Sequence, residues 1–99
     1  MAKRIKWSTQ AVADRIQILD YWFHRIGNKT YCKKFDGSLR EIIKTLADYP
    51  KLGRQFEEDT EERFFVLDCY QIFYVETEDA IELLHIWDSR RNPDDLNFD

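Results

Sequence analysis

The sequence contains few of the residues that build disulfide frameworks and zinc sites. Among 99 residues it has two cysteines, Cys32 and Cys69, and two histidines, His24 and His85. The cysteines form no CxxC pair, and the four residues together lack the spacing of zinc ligands. We therefore expect two reduced and mostly buried thiols, no metal site and no cofactor.

Long apolar segments are also missing from the sequence. No run approaches the roughly 20 residues that cross a membrane. Residues 1–6 are basic, but no apolar stretch follows them, so we do not expect a secretory signal peptide. The sequence thus predicts a cytoplasmic protein that does not bind a membrane.

Nucleotide-binding and catalytic motifs are absent as well. The chain has no P-loop, no dinucleotide-binding glycine pattern and no Ser or Cys nucleophile constellation. Its formal net charge of −4 argues against a general nucleic-acid binder, because phosphate contacts require Lys and Arg, although a local basic patch is compatible with it. What the chain does contain is 43% hydrophobic and 15% aromatic residues, enough for the core of one domain spanning residues 1–99.

The beginning of the chain predicts a strand and then a helix. Residues 5–7 alternate as in a short strand. Ser8 can cap a helix over Gln10–Ile26. Asp14 lies in an early turn of this helix, where the helix dipole would stabilise its negative charge. Two apolar stripes follow the helical period, so we expect this helix to contact two surfaces and to leave an apolar groove exposed. The stronger stripe comprises Val12, Ile16, Leu19, Phe23 and Ile26, and the weaker one Ala11, Ile18 and Trp22.

A second helix is predicted from about Lys29 to Tyr49. The Gly27-Asn28 link tolerates the left-handed conformation that ends a helix, and Pro50 stops the second helix. Two helices joined by so short a link form an antiparallel hairpin. Gly37 lies in the helix interior, where it costs about 1 kcal/mol relative to Ala, and it marks either a close helix crossing or a weak point.

The second half of the chain changes to the two-residue period of strands. Residues 51–56 form a turn leading into a short extended piece, and residues 57–62 form a dense acidic loop. Arg63–Leu67 and Tyr70–Val75 predict a hairpin, and Ile81–Trp87 predicts a strand buried on both faces. This order predicts an α+β fold, with an N-terminal strand and an antiparallel helical hairpin packed on a mainly antiparallel sheet of about four strands.

Three local patterns occur in a particular order along the chain. The first is Trp-Ser at residues 7–8, directly before the first helix. The second is LADYPKLGR at residues 46–54. The third combines Arg63 with YQIFY at residues 70–74 and IWDSRRNP at residues 86–93. In this order and spacing the patterns cover nearly the whole chain, and they resemble the RelE/ParE toxin superfamily, most closely its ParE-like branch.

The resemblance implies the toxin of a bacterial type II toxin–antitoxin system, which inhibits growth and stabilises plasmids. It implies a cognate antitoxin whose flexible segment wraps the toxin, and operator DNA that is contacted through the antitoxin. The activity within the superfamily is divided. RelE-like members cleave mRNA on the ribosome, whereas ParE-like members inhibit DNA gyrase, and the fold alone does not decide between these activities.

Metal-free RNA cleavage needs an acid–base group and cations that stabilise the developing phosphorane charge. In a nuclease, Arg63 and His85 would be the catalytic residues, with Glu57 and Glu58 as further acid–base candidates. RelE-like nucleases that resemble this chain often carry a Tyr or His near the C-terminus, but this chain has neither after Trp87. In a ParE-like toxin the same cations would instead bind the target. These candidate target-binding residues are Lys51, Arg54, Arg63, Arg90 and Arg91.

Three aromatic residues have alternative interpretations. Two-residue periodicity places His85 on the same strand face as Ile81, Leu83 and Trp87, where a partly buried structural histidine is commoner than a general acid or base. Trp22 and Trp87 are core residues by default, but an exposed ring would be an antitoxin-binding anchor.

Three functions remain open on the sequence alone. We favour a ParE-like toxin that binds DNA gyrase, because the nuclease set is incomplete and the charge is acidic. The alternatives are a ribosome-dependent mRNA endonuclease and an inactive toxin-fold binding module. A homodimer could use the same apolar groove as the antitoxin. A basic sheet face in the structure would favour the nuclease.

Overall fold

The computed structural model describes residues 3–58 and 60–89. Within these residues the chain forms, in order, one strand, two helices and four strands. They are β1 (Arg4–Trp7), α1 (Thr9–Ile26), α2 (Thr30–Asp48), β2 (Arg54–Gln55), β3 (Glu62–Leu67), β4 (Tyr70–Glu76) and β5 (Ala80–Asp88). The α+β class and the order of the elements agree with the sequence prediction.

All five strands join one sheet in the order β1-β5-β4-β3-β2. The expected number of about four strands was too low because β1 is part of the sheet. It pairs in parallel with β5, from Arg4 opposite Ala80 to Trp7 opposite Leu83, whereas the other strand pairs are antiparallel. A separate N-terminal strand would leave its backbone N–H and C=O groups unpaired, and pairing with β5 satisfies one edge of it.

Helix α1 begins and ends where its capping residues predict. The Ser8 hydroxyl accepts a hydrogen bond from the backbone N–H of Ala11 at 2.9 Å, and Gly27 has the left-handed φ of 86° at the C-terminus. The weaker apolar stripe packs inward, since Ala11 and Ile18 are buried. The stronger stripe stays largely in solvent, with exposures of 40–56% at four of its five residues, Val12, Ile16, Phe23 and Ile26.

Helix α2 supplies the larger share of the helical core. Phe35, Leu39 and Leu46 are almost fully buried against the sheet. An ion pair connects the two helices: Arg15 donates from Nε and Nη2 to the two carboxylate oxygens of Asp36, each at 2.8 Å. Gly37 is exposed, and nothing lies within 4 Å of the position that a Cβ would take, so it does not mark a helix crossing.

A β-bulge in β5 determines which side chains face the helices. Leu83 pairs with Tyr74 and His85 pairs with Phe73, so that β5 has one extra residue, Leu84, at this point. Because Phe73 and Tyr74 are consecutive, they point to opposite faces of the sheet, and so do their partners. The expectation that His85 shares a face with Ile81 and Leu83 was therefore wrong, because the bulge interrupts the two-residue period.

Candidate functional site

An apolar groove opens between the two helices above the edge strand β1. It has a volume of about 640 Å³. The floor comes from Ile5 and Trp7 of β1, whose side chains point toward the helices. The walls come from Val12 of α1 and from three residues of α2, namely Leu39, Ile43 and Ala47. An apolar groove beside an open strand edge suits an amphipathic peptide segment.

The rim of this groove is predominantly basic. Arg15, Arg40 and Lys44 line it together with one carboxylate, Asp36. That carboxylate is engaged by Arg15 and, at 3.5 Å, by Arg40. The remaining positive charge favours an occupant that carries acidic side chains next to its apolar ones.

The groove continues along α1 as an exposed seam, which we define as Val12, Ile16, Leu19, Phe23 and Ile26. These residues are spaced four, three, four and three apart, which is the spacing of a helix face that packs against another helix. Val12 belongs to both the groove and the seam. Together they form a continuous apolar surface, and they match the groove expected from the two stripes of α1.

Three of the five predicted cations, Lys51, Arg54 and Arg63, lie at the opposite edge of the sheet, around β2. Lys51 and Arg63 line a pocket of about 330 Å³ together with Glu61 and Glu76. Arg54 lies opposite Phe64 in the strand register, whereas Arg63 lies opposite Gln55, so Arg54 and Arg63 point to different faces. The two carboxylates balance the two cations of the pocket, which weakens its attraction for phosphate.

Arg63 also supports the local backbone. Its Nη1 donates to the carbonyl oxygen of Gly53 at 2.8 Å and to that of Lys51 at 3.5 Å. The buried Tyr74 hydroxyl holds the same turn, because it accepts from the Gly53 N–H at 2.8 Å and donates to the Pro50 carbonyl at 2.8 Å. Burial raises the pKa of Tyr74 above its ordinary value, so the hydroxyl keeps the proton that it donates. Arg63 thus joins Tyr74 in fixing the turn before β2.

His85 is held by the carboxylate of Asp14. Its Nδ1 lies 2.8 Å from Asp14 Oδ2, which also accepts the backbone N–H of Ile86 at 2.9 Å. β1 ends opposite Leu83, so it cannot pair with this part of β5, and the Asp14 carboxylate satisfies the Ile86 N–H instead. The expected dipole role of Asp14 was wrong, since the first turn of α1 contains no acidic residue and Asp14 is buried.

The sheet face opposite the helices is aromatic at its centre, and its described cations lie on the edge strands, with Arg54 on β2 and Arg4 and Lys6 on β1. We call this surface the aromatic face: Phe56, Phe64, Phe73, His85 and Trp87. Phe56 packs edge-on against Phe73 at 5.1 Å between ring centroids and against Phe64 at 6.5 Å. The centroid of the His85 ring lies 6.4 Å from that of Phe73 and 6.0 Å from that of Trp87. A nuclease would need cations around its acid–base group, whereas the described neighbours of His85 on this face are rings.

Of the two tryptophans predicted as antitoxin anchors, Trp87 is buried and Trp22 is half-buried. Trp87 is only 6% exposed. Trp22 is partly buried, donates its Nε1–H to the hydroxyl of Tyr70 at 2.6 Å and packs against Tyr31. Arg90 and Arg91, the other two target-binding candidates, lie outside the described residues.

Metal sites, membrane-spanning helices and disulfides were not expected from the sequence. In residues 3–58 and 60–89, no three His, Cys, Asp or Glu side chains are placed to hold a metal ion. Over the same ranges, neither helix is long and apolar enough to cross a membrane. Cys32 and Cys69 are both free thiols, as expected, but they are half-buried and not mostly buried.

Sequence reasoning missed two features of this arrangement. The hydrogen bonds between the Tyr74 hydroxyl and the turn at Pro50 and Gly53 have no signal in the sequence, because they join residues more than 20 positions apart. The inward position of Asp14 does have one: Ala11, Asp14 and Ile18 are spaced three and four apart, so a carboxylate stands within the weaker apolar stripe.

Comparisons with known proteins identify a family and a similar solved structure. The family model described as the ParE toxin of the type II toxin–antitoxin system parDE matches residues 5–93. Nine solved chains match, including one described as a chromosomal ParDE TA system from P. aeruginosa. That chain is 22% identical, with a TM-score of 0.71 over 86% of the present chain and 94% of its own length, and at this identity it shows the fold alone. No curated protein matches significantly.

Proposed function

Because this chain belongs to the ParE toxin family of type II toxin–antitoxin systems, we propose that it inhibits growth by binding DNA gyrase. We further propose that a cognate antitoxin neutralises it by occupying the groove and the seam of α1. The toxin would then act on its target by binding it and not by cleaving RNA.

One observation carries the preference for binding. Arg63 pairs with Tyr74 and His85 pairs with Phe73, and these two partners are consecutive residues of β4. Arg63 and His85 therefore point to opposite faces of the sheet and cannot act on the same phosphate. The aromatic rings beside His85 on its face also favour binding over cleavage.

The charged edge around β2 is the surface that we assign to the target. Lys51 and Arg54 are both exposed there, and exposed cations beside a rigid strand can act in recognition because Arg is enriched at interaction hot spots. Tyr74 and Arg63 fix the turn that presents these two side chains. This surface lies at the other end of the sheet from the groove, so the antitoxin and the target would contact different parts of the toxin.

The activity is tested with the purified chain in two assays. We expect it to inhibit supercoiling by DNA gyrase and to leave ribosome-bound mRNA intact. In cells without antitoxin, pulse labelling after induction should show that DNA synthesis stops before protein synthesis. If protein synthesis stops first, the nuclease alternative holds, and if both continue, the chain is an inactive binding module.

The target surface is tested by charge reversal. Lys51→Glu with Arg54→Glu should weaken inhibition of gyrase at least tenfold, because two attractive contacts become repulsive. Arg4→Glu with Lys6→Glu makes the same charge change on the strand at the far edge of the sheet, where both side chains are exposed. Equal inhibition by the two double variants would refute this assignment.

The antitoxin site is tested by placing carboxylates on the exposed apolar surface. Val12→Glu with Ile16→Glu should remain toxic but should escape neutralisation when a candidate antitoxin is co-expressed. Both side chains are already exposed, at 42% and 56%, so folding should be preserved. Val66→Glu, at a residue 59% exposed on β3, is the matched control and should be neutralised normally. Normal neutralisation of the Val12/Ile16 variant would exclude the groove and seam.

A further inference from the structure

The tip of the helical hairpin concentrates positive charge on an acidic protein. We define the basic tip as Arg25, Lys29, Lys33 and Lys34. All four side chains are exposed, and the segment from residue 25 to residue 35 contains no Asp or Glu. Without these four cations the formal charge of the chain would fall from −4 to −8. The tip is therefore a local positive patch on a chain of net negative charge.

None of the four cations forms an ion pair within the described residues, in contrast to several others in the chain. Lys3 is paired with Glu76, Arg4 with Asp79 and Arg15 with Asp36. The carboxylates around the tip pair with other residues. The four cations consequently present their charge to solvent.

Three carboxylates lie near the tip along the chain or through a hydrogen bond to it. Asp36, three residues after Lys33, pairs with Arg15 and Arg40. Asp20 pairs with His24 at 3.3 Å on α1. Asp68, in the turn between β3 and β4, accepts the hydroxyl proton of Tyr31 at 3.0 Å. All three therefore have partners other than the four cations of the basic tip.

The arrangement works against the stability of the hairpin. Lys29 and Lys33 are one helical turn apart, where two like charges repel. Lys29 also directly precedes α2, where the helix dipole disfavours a cation, and the first turn of α2 has no acidic residue to compensate. Such local conflicts are expected where a surface serves binding.

We propose that the basic tip binds the phosphate backbone of duplex DNA without reading its sequence. Three of its four cations are lysines, whose compact charges attract phosphate without requiring a planar bidentate partner. The tip lies at the connection between α1 and α2, at one end of the hairpin, where all four side chains are exposed to a polyanion. The acidic remainder of the chain is repelled by DNA and so directs this end toward it. This contact is additional to gyrase and antitoxin binding and requires neither.

The experiment measures binding of the full chain to a fluorescently labelled duplex DNA of random sequence across a salt series. Each phosphate contact contributes about −0.9 to the slope of log affinity against log salt. Lys29→Gln with Lys33→Gln should therefore make the slope shallower by about 1.8 and weaken binding at low salt. Arg4→Gln with Lys6→Gln removes two exposed cations of β1, at the far side of the molecule's sheet, and should leave the slope unchanged.

Other polyanions serve as competing probes. Polyglutamate represents an acidic protein, and vesicles with an anionic lipid represent a membrane surface. Weak competition by both supports the proposal. The proposal is overturned if the wild-type chain does not bind duplex DNA at low salt, or if the two double variants change the slope equally. It is also overturned if polyglutamate or the vesicles bind as tightly as DNA with the same dependence on Lys29 and Lys33.

Discussion

Replacing Asp14 with alanine should destabilise the protein more than any change at an exposed carboxylate. The side chain of Asp14 is 10% exposed and accepts three hydrogen bonds. The donors are Gln10 Nε2 at 2.7 Å, His85 Nδ1 at 2.8 Å and the backbone N–H of Ile86 at 2.9 Å. Two of these bonds connect α1 to the bulged strand β5, so that their loss affects the contact between the helical layer and the sheet.

The magnitude follows from what the substitution leaves behind. A buried N–H without a partner costs about 1–3 kcal/mol, and a hydrogen bond to a charged group contributes about 1.5–3 kcal/mol. Because the Ile86 N–H is buried and the His85 contact is lost in the same variant, we expect Asp14→Ala to reduce the free energy of unfolding by about 3 kcal/mol. A small domain has about 5–15 kcal/mol in total, so this loss is large.

Urea unfolding followed by circular dichroism measures the effect. Asp20→Ala is the matched control, because Asp20 lies on the same helix and its side chain is 70% exposed beside His24. An exposed pair of this kind contributes little, so the control should unfold near the wild-type midpoint. Asp14→Asn keeps an acceptor for the Ile86 N–H and should fall between the two. If Asp14→Ala unfolds at the same urea concentration as Asp20→Ala, the role of Asp14 as the link between α1 and β5 is refuted.

Two further predictions concern the glycines and the buried tyrosines. Gly37→Ala should raise the free energy of unfolding by about 0.5–1 kcal/mol, because it lies within α2 and an added Cβ meets nothing within 4 Å. Gly53→Ala should lower it, since the Cβ would come within 2.5 Å of the Tyr74 hydroxyl. A lower urea midpoint for Gly37→Ala would contradict the first of these predictions, and an unchanged or higher midpoint for Gly53→Ala would contradict the second. Burial raises the pKa of Tyr31 and of Tyr74, so the unfolded chain loses these protons first and stability should fall as the pH rises above about 10. Unfolding followed by circular dichroism across alkaline pH checks this, and a pH dependence equally steep in a Tyr31→Phe, Tyr74→Phe variant would contradict it.

Local rules accounted for much of the fold. Ser8 and Gly27 set the ends of α1 because capping depends on residues within one turn. The turn at Asp68, with a φ of 55°, joins β3 and β4 where the hairpin was expected. The predicted bounds of the helices are close to the observed ones. Helix α1 begins one residue earlier than predicted, and α2 begins one residue later and ends one residue earlier.

The candidate site could be predicted only in part. The apolar seam of α1 follows from its spacing, and the five cations follow from a family resemblance. Their relative positions do not, because Arg63 and His85 are brought to opposite faces by strand pairing between distant residues. The antitoxin-binding role of Trp22 and Trp87 stays a prediction, and the groove beside the seam offers the more exposed surface.

The sequence by itself determined the helical hairpin, the β3–β4 hairpin and the family, since each depends on residues close together in the chain or on motifs in a set order. Only the tertiary structure decided which stripe of α1 is buried, because both stripes are apolar and the sheet accepts the one with the smaller Ala11. It also decided the direction of His85. The extra residue in β5 reverses the side-chain alternation there, and its position depends on how β4 and β5 pair, which no local pattern specifies.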